Sequence, residues 1–108
     1  MQELSRTLID CHLAGFTHWD GVEVFGELEV GTPLTLAAEP DNPFDPHAVA
    51  VLYKTHKIGY LPSKHSALIA IFLQLGHAGL FEAFVNRVSK DKHPEGQIGI
   101  VIKIKDAR

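Results

Sequence analysis

Short segments in which apolar residues alternate with polar ones, or in which β-branched residues cluster, recur along most of the chain. Runs of four to eight such residues, bounded by glycine, proline or polar turns, are typical of β-strands. The pattern predicts six strands, at residues 7–14, 34–39, 48–53, 57–61, 81–88 and 97–104. Many short strands separated by frequent turns favour a sandwich or a small antiparallel barrel.

One segment, residues 62–75, has the spacing of an amphipathic helix instead. Its apolar side chains recur at intervals of three and four, which predicts that one face packs onto the barrel. That face is formed by Leu68, Ile71, Phe72 and Leu75. Ser63 or Ser66 is the candidate N-cap, and Gly76 is well placed to end the helix. The predicted fold is therefore mostly β, with one main helix inserted between strands.

Length and composition are consistent with a single small domain spanning residues 1–108. Hydrophobic residues make up 45% of the chain and charged residues 21%, which is ordinary for a globular protein. The longest strongly apolar run, residues 67–75, is too short to span a membrane, and the N-terminus does not resemble a signal peptide. With a single cysteine and no internal disulfide, we expect a cytoplasmic protein.

The charges are distributed unevenly between the two halves of the chain. Residues 1–50 contain nine acidic residues and one basic residue, whereas residues 51–108 contain nine basic and four acidic residues. Such asymmetry can indicate an anion-binding face, although the two halves can also mix in a folded barrel and cancel. Ten basic residues in all do not form a strong basic stripe.

The sequence has no recognisable catalytic motif. The seven histidines match no standard zinc-ligand spacing, and no glycine-rich phosphate loop precedes a helix. Cys11 lies within a predicted strand, so we expect it to be largely buried and slow to react. The sequence therefore predicts a binding protein that is not an enzyme and that has no metal or cofactor.

The loop at residues 39–48, E-P-D-N-P-F-D-P-H-A, is the most informative stretch. Its three prolines restrict the backbone, so that its polar side chains are held in place at low entropic cost. Asn42 and Asp45 can define tight turns, and Phe44 between them can either plug the barrel or offer a stacking surface. A preorganised loop with an amide, a ring and a carboxylate is suited to a small polar ligand, but it can also be no more than a well-made turn.

This loop and the two strands after it resemble the signature of the HIRAN domain family. Residues 39–51, E-P-D-N-P-F-D-P-H-A-V-A-V, are similar to the family's E-P-x-N-P-Y-D-x-N-A-I-x-V. Residues 57–62, K-I-G-Y-L-P, are similar to V-G-[HY]-[LI]-P, and residues 14–21, A-G-F-T-H-W-D-G, are similar to V-G-x-x-Y-Y-x-G. The resemblance implies a small barrel related to the OB and SH3-like barrels.

The resemblance also implies a function, because HIRAN domains of eukaryotic DNA translocases capture the free 3′ end of single-stranded DNA. By position in the motifs, Asp45 would accept a hydrogen bond from the terminal 3′-hydroxyl, and aromatic rings would stack on bases. The implied pocket consists of His18, Trp19, Asn42, Phe44, Asp45 and Tyr60. Lys57 and Lys64 are the nearest bases in sequence that could meet phosphates.

Two features separate this chain from the DNA-binding members and leave a second interpretation open. Thr17 stands where those members have an arginine, and His18 where they have a tyrosine. The alternative is a protein-interaction module, or a homo-oligomer that associates through its last strand. Residues 97–104 are apolar on both faces, so a partner could cover the face that the core does not.

Overall fold

The computed structural model describes residues 6–16, 21–89 and 97–105. Within them, six strands form one antiparallel sheet in the order β1-β6-β5-β2-β3-β4. The strands are β1 (Arg6–His12), β2 (Pro33–Ala38), β3 (Val49–Tyr53), β4 (His56–Tyr60), β5 (Phe81–Val88) and β6 (Ile98–Ile104). The helices are α1 (Gly21–Val24) and α2 (Ser63–Gln74), with short 3₁₀ turns at Phe25–Glu27 and Ala78–Leu80.

This architecture confirms the predicted fold class, a mostly β domain with one main helix between strands. The sheet curls so that its two edge strands, β1 and β4, approach each other. Ala14, just beyond β1, forms an isolated antiparallel bridge with Tyr60 at the end of β4. Each residue donates its N–H to the other's carbonyl oxygen, at 2.9 Å in both directions. Within the described residues the two edges are joined at this one residue pair, and the sheet is otherwise open.

Gly59 permits this closure because it lies directly under the bridge. A Cβ atom at this position would be 2.5 Å from the carbonyl oxygen of Ala14 and 2.8 Å from the side chain of Leu13. Both distances are well inside van der Waals contact, so only a residue without a side chain allows the two edges to approach. The glycine of the I-G-Y-L-P segment therefore has a steric role.

The core fills the inside of the curled sheet with alternate residues from the strands. It includes Ile98, Ile100 and Ile102 of β6 and Val49 and Val51 of β3, all essentially inaccessible to solvent. The segment around α1 adds further buried side chains from outside the sheet: Phe16, Val24 and Leu28. This short helical segment was not predicted, because four residues are too few to show a helical period.

The position of α2 agrees with the prediction, but of the four residues predicted to face inward only Phe72 packs against the core, with its ring centre 5.9 Å from that of Phe81. Ile69 and Ala70 are fully buried and Ser66 nearly so. Three residues of the predicted inward face lie outside instead: Leu68 is 58% exposed, Ile71 47% and Leu75 69%. Residues 66, 69, 70 and 73 also recur at helical spacing, so the sequence contained two overlapping stripes and the less apolar one is buried.

The two ends of α2 are formed differently from each other. The N-cap is Pro62, without a side-chain cap, and Ser66 donates its hydroxyl to the carbonyl oxygen of Ser63. Gly76 ends the helix as predicted, with a φ of +90°. Its N–H donates to Leu73 and that of His77 to Phe72, which is the Schellman arrangement.

The last strand, β6, lies in the middle of its half of the sheet. It is hydrogen-bonded to β1 on one side and to β5 on the other. On its outer face Val101 is half-buried, and the ammonium of Lys103 lies 5.9 Å from the ring centre of Phe84 on β5. Both edges of β6 are therefore used within the sheet, so that pairing with a strand of a second copy has no edge to use there. Self-association through the outer face of this strand stays a prediction.

Candidate functional site

The loop between β2 and β3 is built by hydrogen bonds from its own side chains. Asn42 Oδ1 accepts from the backbone N–H groups of Phe44, at 2.9 Å, and Asp45, at 3.1 Å. Asp45 Oδ1 accepts from the N–H of His47 at 2.8 Å. At the base of the loop, the N–H of Glu39 donates to the carbonyl oxygen of Ala48 at 3.0 Å. Three prolines restrict φ, and the Gln74 amide of α2 donates to the carbonyl oxygen of Pro46 at 3.4 Å, so the loop is fixed mainly by its own local bonds.

Phe44, at the tip of this loop, is held in solvent. Its residue surface is 94% exposed, the highest value among the large hydrophobic residues described. The sequence left open whether this ring plugs the barrel or offers a surface, and the structure shows that it does not plug the barrel. A large apolar ring presented to water by a rigid loop is unfavourable unless something covers it in use.

Beside Phe44 lies an open pocket of about 760 Å³. Four residues that the resemblance assigned to a ligand site, Asn42, Phe44, Asp45 and Tyr60, line it together. The rest of its lining comes from Ala38, Glu39, Pro40, Asp41, Pro43 and Ala48. The lining is thus mostly apolar, with two prolines, and it also includes three carboxylates and one phenol. His18 and Trp19, also assigned to the site, lie outside the described residues.

Glu39, at the end of β2, binds three side chains at the wall of the pocket. Its Oε2 is 2.6 Å from the ammonium of Lys57. Its Oε1 accepts from the Tyr60 hydroxyl at 2.8 Å and from the Asn42 amide at 3.1 Å. Lys57 also donates to the Tyr60 hydroxyl at 3.0 Å and lies 5.0 Å from the centre of its ring. The network ties β4 to the base of the loop.

A β-bulge in β4 brings Lys57 and Tyr60 to the same face of the strand. Residues three apart in a regular strand point to opposite faces. Here Gly59 pairs with Val51 and Lys57 pairs with Leu52, so that Ile58 is the extra residue. Because the bulge adds one residue between them, Lys57 and Tyr60 point to the same face of β4. Both side chains can therefore reach Glu39.

The network shifts the ionisation of both charged members. Burial by itself would raise the pKa of Glu39, but hydrogen bonds from Lys57, Tyr60 and Asn42 and the lysine's charge outweigh it and lower the pKa. Burial would likewise lower the pKa of Lys57, but its bonds with Glu39 and Tyr60 and the charge of Glu39 raise it. Each partner therefore stays charged over a wider pH range than it would alone.

The two lysines named from the sequence differ in their surroundings. Lys57 is held in the ion pair with Glu39, and its side chain is 29% exposed. Lys64 lies in the first turn of α2 and does not line the pocket. It is close enough to Cys11 for its charge to act on that thiol.

Cys11 is half-buried in β1, not largely buried as predicted. Burial, together with the charge of Asp10, raises the pKa of its thiol to about 11, against a smaller opposing effect of Lys64. Since the thiolate is the reactive form, slow reaction with thiol reagents remains a prediction.

Sequence reasoning had placed Glu39 in the loop motif but had not assigned it to the site. The feature of the sequence that could have indicated a role for Glu39 is its position, because it is the first residue of the motif and precedes the first of the three prolines. The partner of Glu39 could not be predicted from the sequence, because Lys57 lies on the same side as Glu39 only as a result of the bulge at Ile58.

The sequence as a whole matches a known family. Residues 7–105 match the family model of the HIRAN domain. The chain belongs to the HIRAN domain family. The match spans both helices and all six strands of this HIRAN domain, except for Arg6 at the start of β1. A search of curated proteins gives no match.

Two solved structures have the same fold as this HIRAN domain. A protein from Lactobacillus plantarum superposes with a TM-score of 0.75 at 19% identity, over 95% of this chain and 97% of that chain. The HIRAN domain of human HLTF superposes with a TM-score of 0.70 at 17% identity, over 93% of this chain and 78% of that chain. At such identities these similarities concern the fold.

Two further findings concern the described residues alone. None of their helices is long and apolar enough to cross a membrane. No three histidine, cysteine, aspartate or glutamate side chains among residues 6–16, 21–89 and 97–105 are grouped to hold a metal ion.

Proposed function

We propose that this HIRAN domain is a non-catalytic module that binds single-stranded nucleic acid and receives the 3′ end of a DNA strand in the pocket beside Phe44. The observation that carries the proposal is the exposure of Phe44, 94%, on a loop fixed by its own hydrogen bonds. Stacking of a base on such a ring is worth roughly 1–3 kcal/mol and does not depend on sequence. Because the loop is already ordered, little entropy is lost on binding.

Asp45 gives the pocket a means of distinguishing one strand end from another. Its Oδ1 is used by the backbone of His47, while no hydrogen-bond partner is found for Oδ2 within the described part of the chain. A carboxylate oxygen accepts a hydrogen bond from a 3′-hydroxyl but repels a 3′-phosphate. Tyr60 and the apolar residues that line the same pocket would contact the terminal nucleoside.

The charges around the pocket support an end-binding mode over a backbone-binding mode. Asp41 and Asp45 carry negative charge, and the positive charge of Lys57 is compensated by Glu39. A strand that runs along the protein would place phosphates against these carboxylates. We therefore expect few phosphate contacts and a shallow salt dependence, with a slope of about −0.7 for each phosphate bound to a lysine.

Fluorescence anisotropy with two labelled oligonucleotides, identical except for a 3′-hydroxyl or a 3′-phosphate, tests the proposal. The wild type should prefer the hydroxyl end. Phe44→Ala should weaken binding of both by roughly 5- to 150-fold, as loss of one stacked base implies. Val30→Ala is the matched control, because Val30 is also an exposed apolar residue, at 70%, and is not part of the pocket.

Asp45→Asn separates recognition of the end from affinity. The amide oxygen of asparagine can still accept from the His47 N–H, so the loop keeps its shape while the charge is lost. The preference for the hydroxyl end should fall more than the overall affinity. A wild type that binds both ends equally, or binds neither at millimolar concentration and low salt, would overturn the proposal.

A further inference from the structure

Lys57 does not itself line the pocket, but it contacts two residues that do, Glu39 and Tyr60. Its ammonium would suit a phosphate, yet the structure places the Glu39 carboxylate against it. The Lys57 ammonium is 2.6 Å from Glu39 Oε2 and 3.0 Å from the Tyr60 hydroxyl. The pair is only partly accessible, with side chains 29% and 25% exposed, so water screens it less than it would a surface pair. Glu39 is held in turn by Tyr60 and Asn42, which fixes the carboxylate in front of the lysine.

From this arrangement we infer that Glu39 is a specificity-determining residue that prevents Lys57 from binding a phosphate group at the edge of the pocket, beside Glu39 and Tyr60. The inference rests on the proposed function, since it says how that pocket rejects a phosphorylated end. A lysine, a phenol and an amide that all donate to one carboxylate are also the donors of an ordinary phosphate site. The Glu39 carboxylate occupies the position that a phosphate would take, and it neutralises the positive charge of Lys57.

Rejection of phosphate then has two sources that act at different points of the pocket. Asp45 lies in the loop beside Phe44, and Glu39 lies at the base of the loop beside Tyr60. Replacing Glu39 with glutamine keeps an acceptor for Tyr60 and Asn42 but removes the charge that compensates Lys57. Replacing Asp45 with asparagine leaves the Glu39–Lys57 pair intact. The two substitutions therefore report on different parts of the same selectivity.

Inorganic phosphate, titrated into the full chain at pH 7 and low salt and followed by NMR, tests this inference without any DNA. Glu39→Gln should bind phosphate about fivefold more tightly than the wild type or better, as expected when a unit charge about 4 Å away is removed even in bulk water. The double variant Glu39→Gln/Lys57→Gln should return to the wild-type level, because the cation that binds the phosphate is gone.

The oligonucleotides with different ends give the second measurement. Glu39→Gln should lose about fivefold of the preference for a 3′-hydroxyl over a 3′-phosphate, and its salt slope with the phosphorylated strand should steepen by about 0.7. Lys57→Gln, which uncovers the charge of Glu39, should increase the preference. That variant also keeps the inference testable if Glu39→Gln does not fold.

The outcomes separate this inference from the proposed function. Equal phosphate affinity in the wild type and Glu39→Gln, or a gain that persists in the double variant, would refute the role of Glu39, whatever the protein binds. A wild type that binds neither oligonucleotide would refute the proposed function, while the phosphate titration would still decide whether Glu39 blocks Lys57.

Discussion

At the scale of single residues, Asn42 shows how one side chain can define a loop. Its oxygen accepts two backbone N–H groups, and its amide nitrogen donates to Glu39. Motif resemblance implied that Asn42 belongs to a ligand site, and the structure places it on the pocket wall. Its side-chain oxygen, however, is used to shape the loop. Asn42 thus supports a ligand site mainly by holding Phe44 and Asp45 in position.

Gly59 gives the most direct stability test at this scale. Gly59→Ala would force a Cβ to within 2.5 Å of the Ala14 carbonyl oxygen, and backbone on both sides would have to move. We expect the free energy of unfolding in urea to fall by roughly 1–3 kcal/mol, as for an overpacked core site. Gly79→Ala is the control, since a Cβ there would have no atom within 4 Å. A loss at Gly79 as large as at Gly59 would contradict the steric explanation.

The Glu39–Lys57 pair predicts a pH dependence of stability. Glu39 has a lowered pKa in the folded state, so its contribution is present above the ordinary value of 4.5 and is lost as the pH falls through the folded pKa. Lys57 has a raised pKa, so its contribution is present below 10.5 and is lost as the pH rises through the folded pKa. The pair is therefore intact between these limits.

Urea unfolding of the wild type and Glu39→Gln at several pH values measures this effect. The difference between the two free energies of unfolding should be about 1 kcal/mol near pH 7, as for a partly screened pair. It should disappear as the pH falls below 4.5 and through the lowered pKa of Glu39. A difference that persists undiminished once the pH is well below that pKa would show that the ion pair is not its source.

At the scale of the elements, α2 carries apolar residues on both sides and buries one of them. Ile69→Ala should cost roughly 2–5 kcal/mol, because Ile69 is fully buried against the sheet. Leu68→Ala, the adjacent position at 58% exposure, should change stability by no more than about 0.5 kcal/mol. Urea unfolding of both variants compares the two faces directly. Equal losses would mean that the exposed face is also covered in solution.

The sequence identified the elements better than it identified which way they face. Alternation and clusters of β-branched residues, bounded by turns, located all six strands to within about two residues. Periodicity could not choose between the two stripes of α2. One contains Leu68 and Ile71, and the other contains Ser66 and Ala70, which read as less apolar. The choice is made by the sheet, where small residues allow the helix to approach closely.

The candidate site was predictable only where it is local in sequence. Asn42, Phe44 and Asp45 lie within four residues, and the motif placed Tyr60 with them. The ion pair between Glu39 and Lys57 was not predictable, because it depends on a bulge that changes which face of β4 the lysine occupies. A one-residue shift of this kind leaves no trace in a hydrophobic pattern.

At the scale of the whole molecule, the sheet consists of two three-stranded halves, β1-β6-β5 and β2-β3-β4. On one side the halves are joined by the ladder between β2 and β5, in which the pairs are Pro33 with Phe84 and Leu34 with Ala83. On the other side they are joined by the bridge between Ala14 and Tyr60. Both seams are short compared with the ladder of seven pairs between β5 and β6. The pocket lies at the second seam, since Tyr60 belongs to both.

Amide hydrogen exchange should therefore vary across the sheet, with the bridge opening before the halves unfold. The amides of Ala14 and Tyr60 donate to each other's carbonyl oxygens across the bridge, while the adjacent Leu13 and Leu61 amides donate to β6 and β3. Opening the bridge therefore separates the two edges but leaves each edge attached to its own half of the sheet. The amides of β6 lie between two strands and are released only when a half of the sheet separates. By NMR, exchange at Ala14 and Tyr60 should be at least tenfold faster than in the middle of β6, about 1.4 kcal/mol in opening free energy. Equal protection at both places would show that the barrel opens as one unit and that the wall of the pocket is as stable as the core.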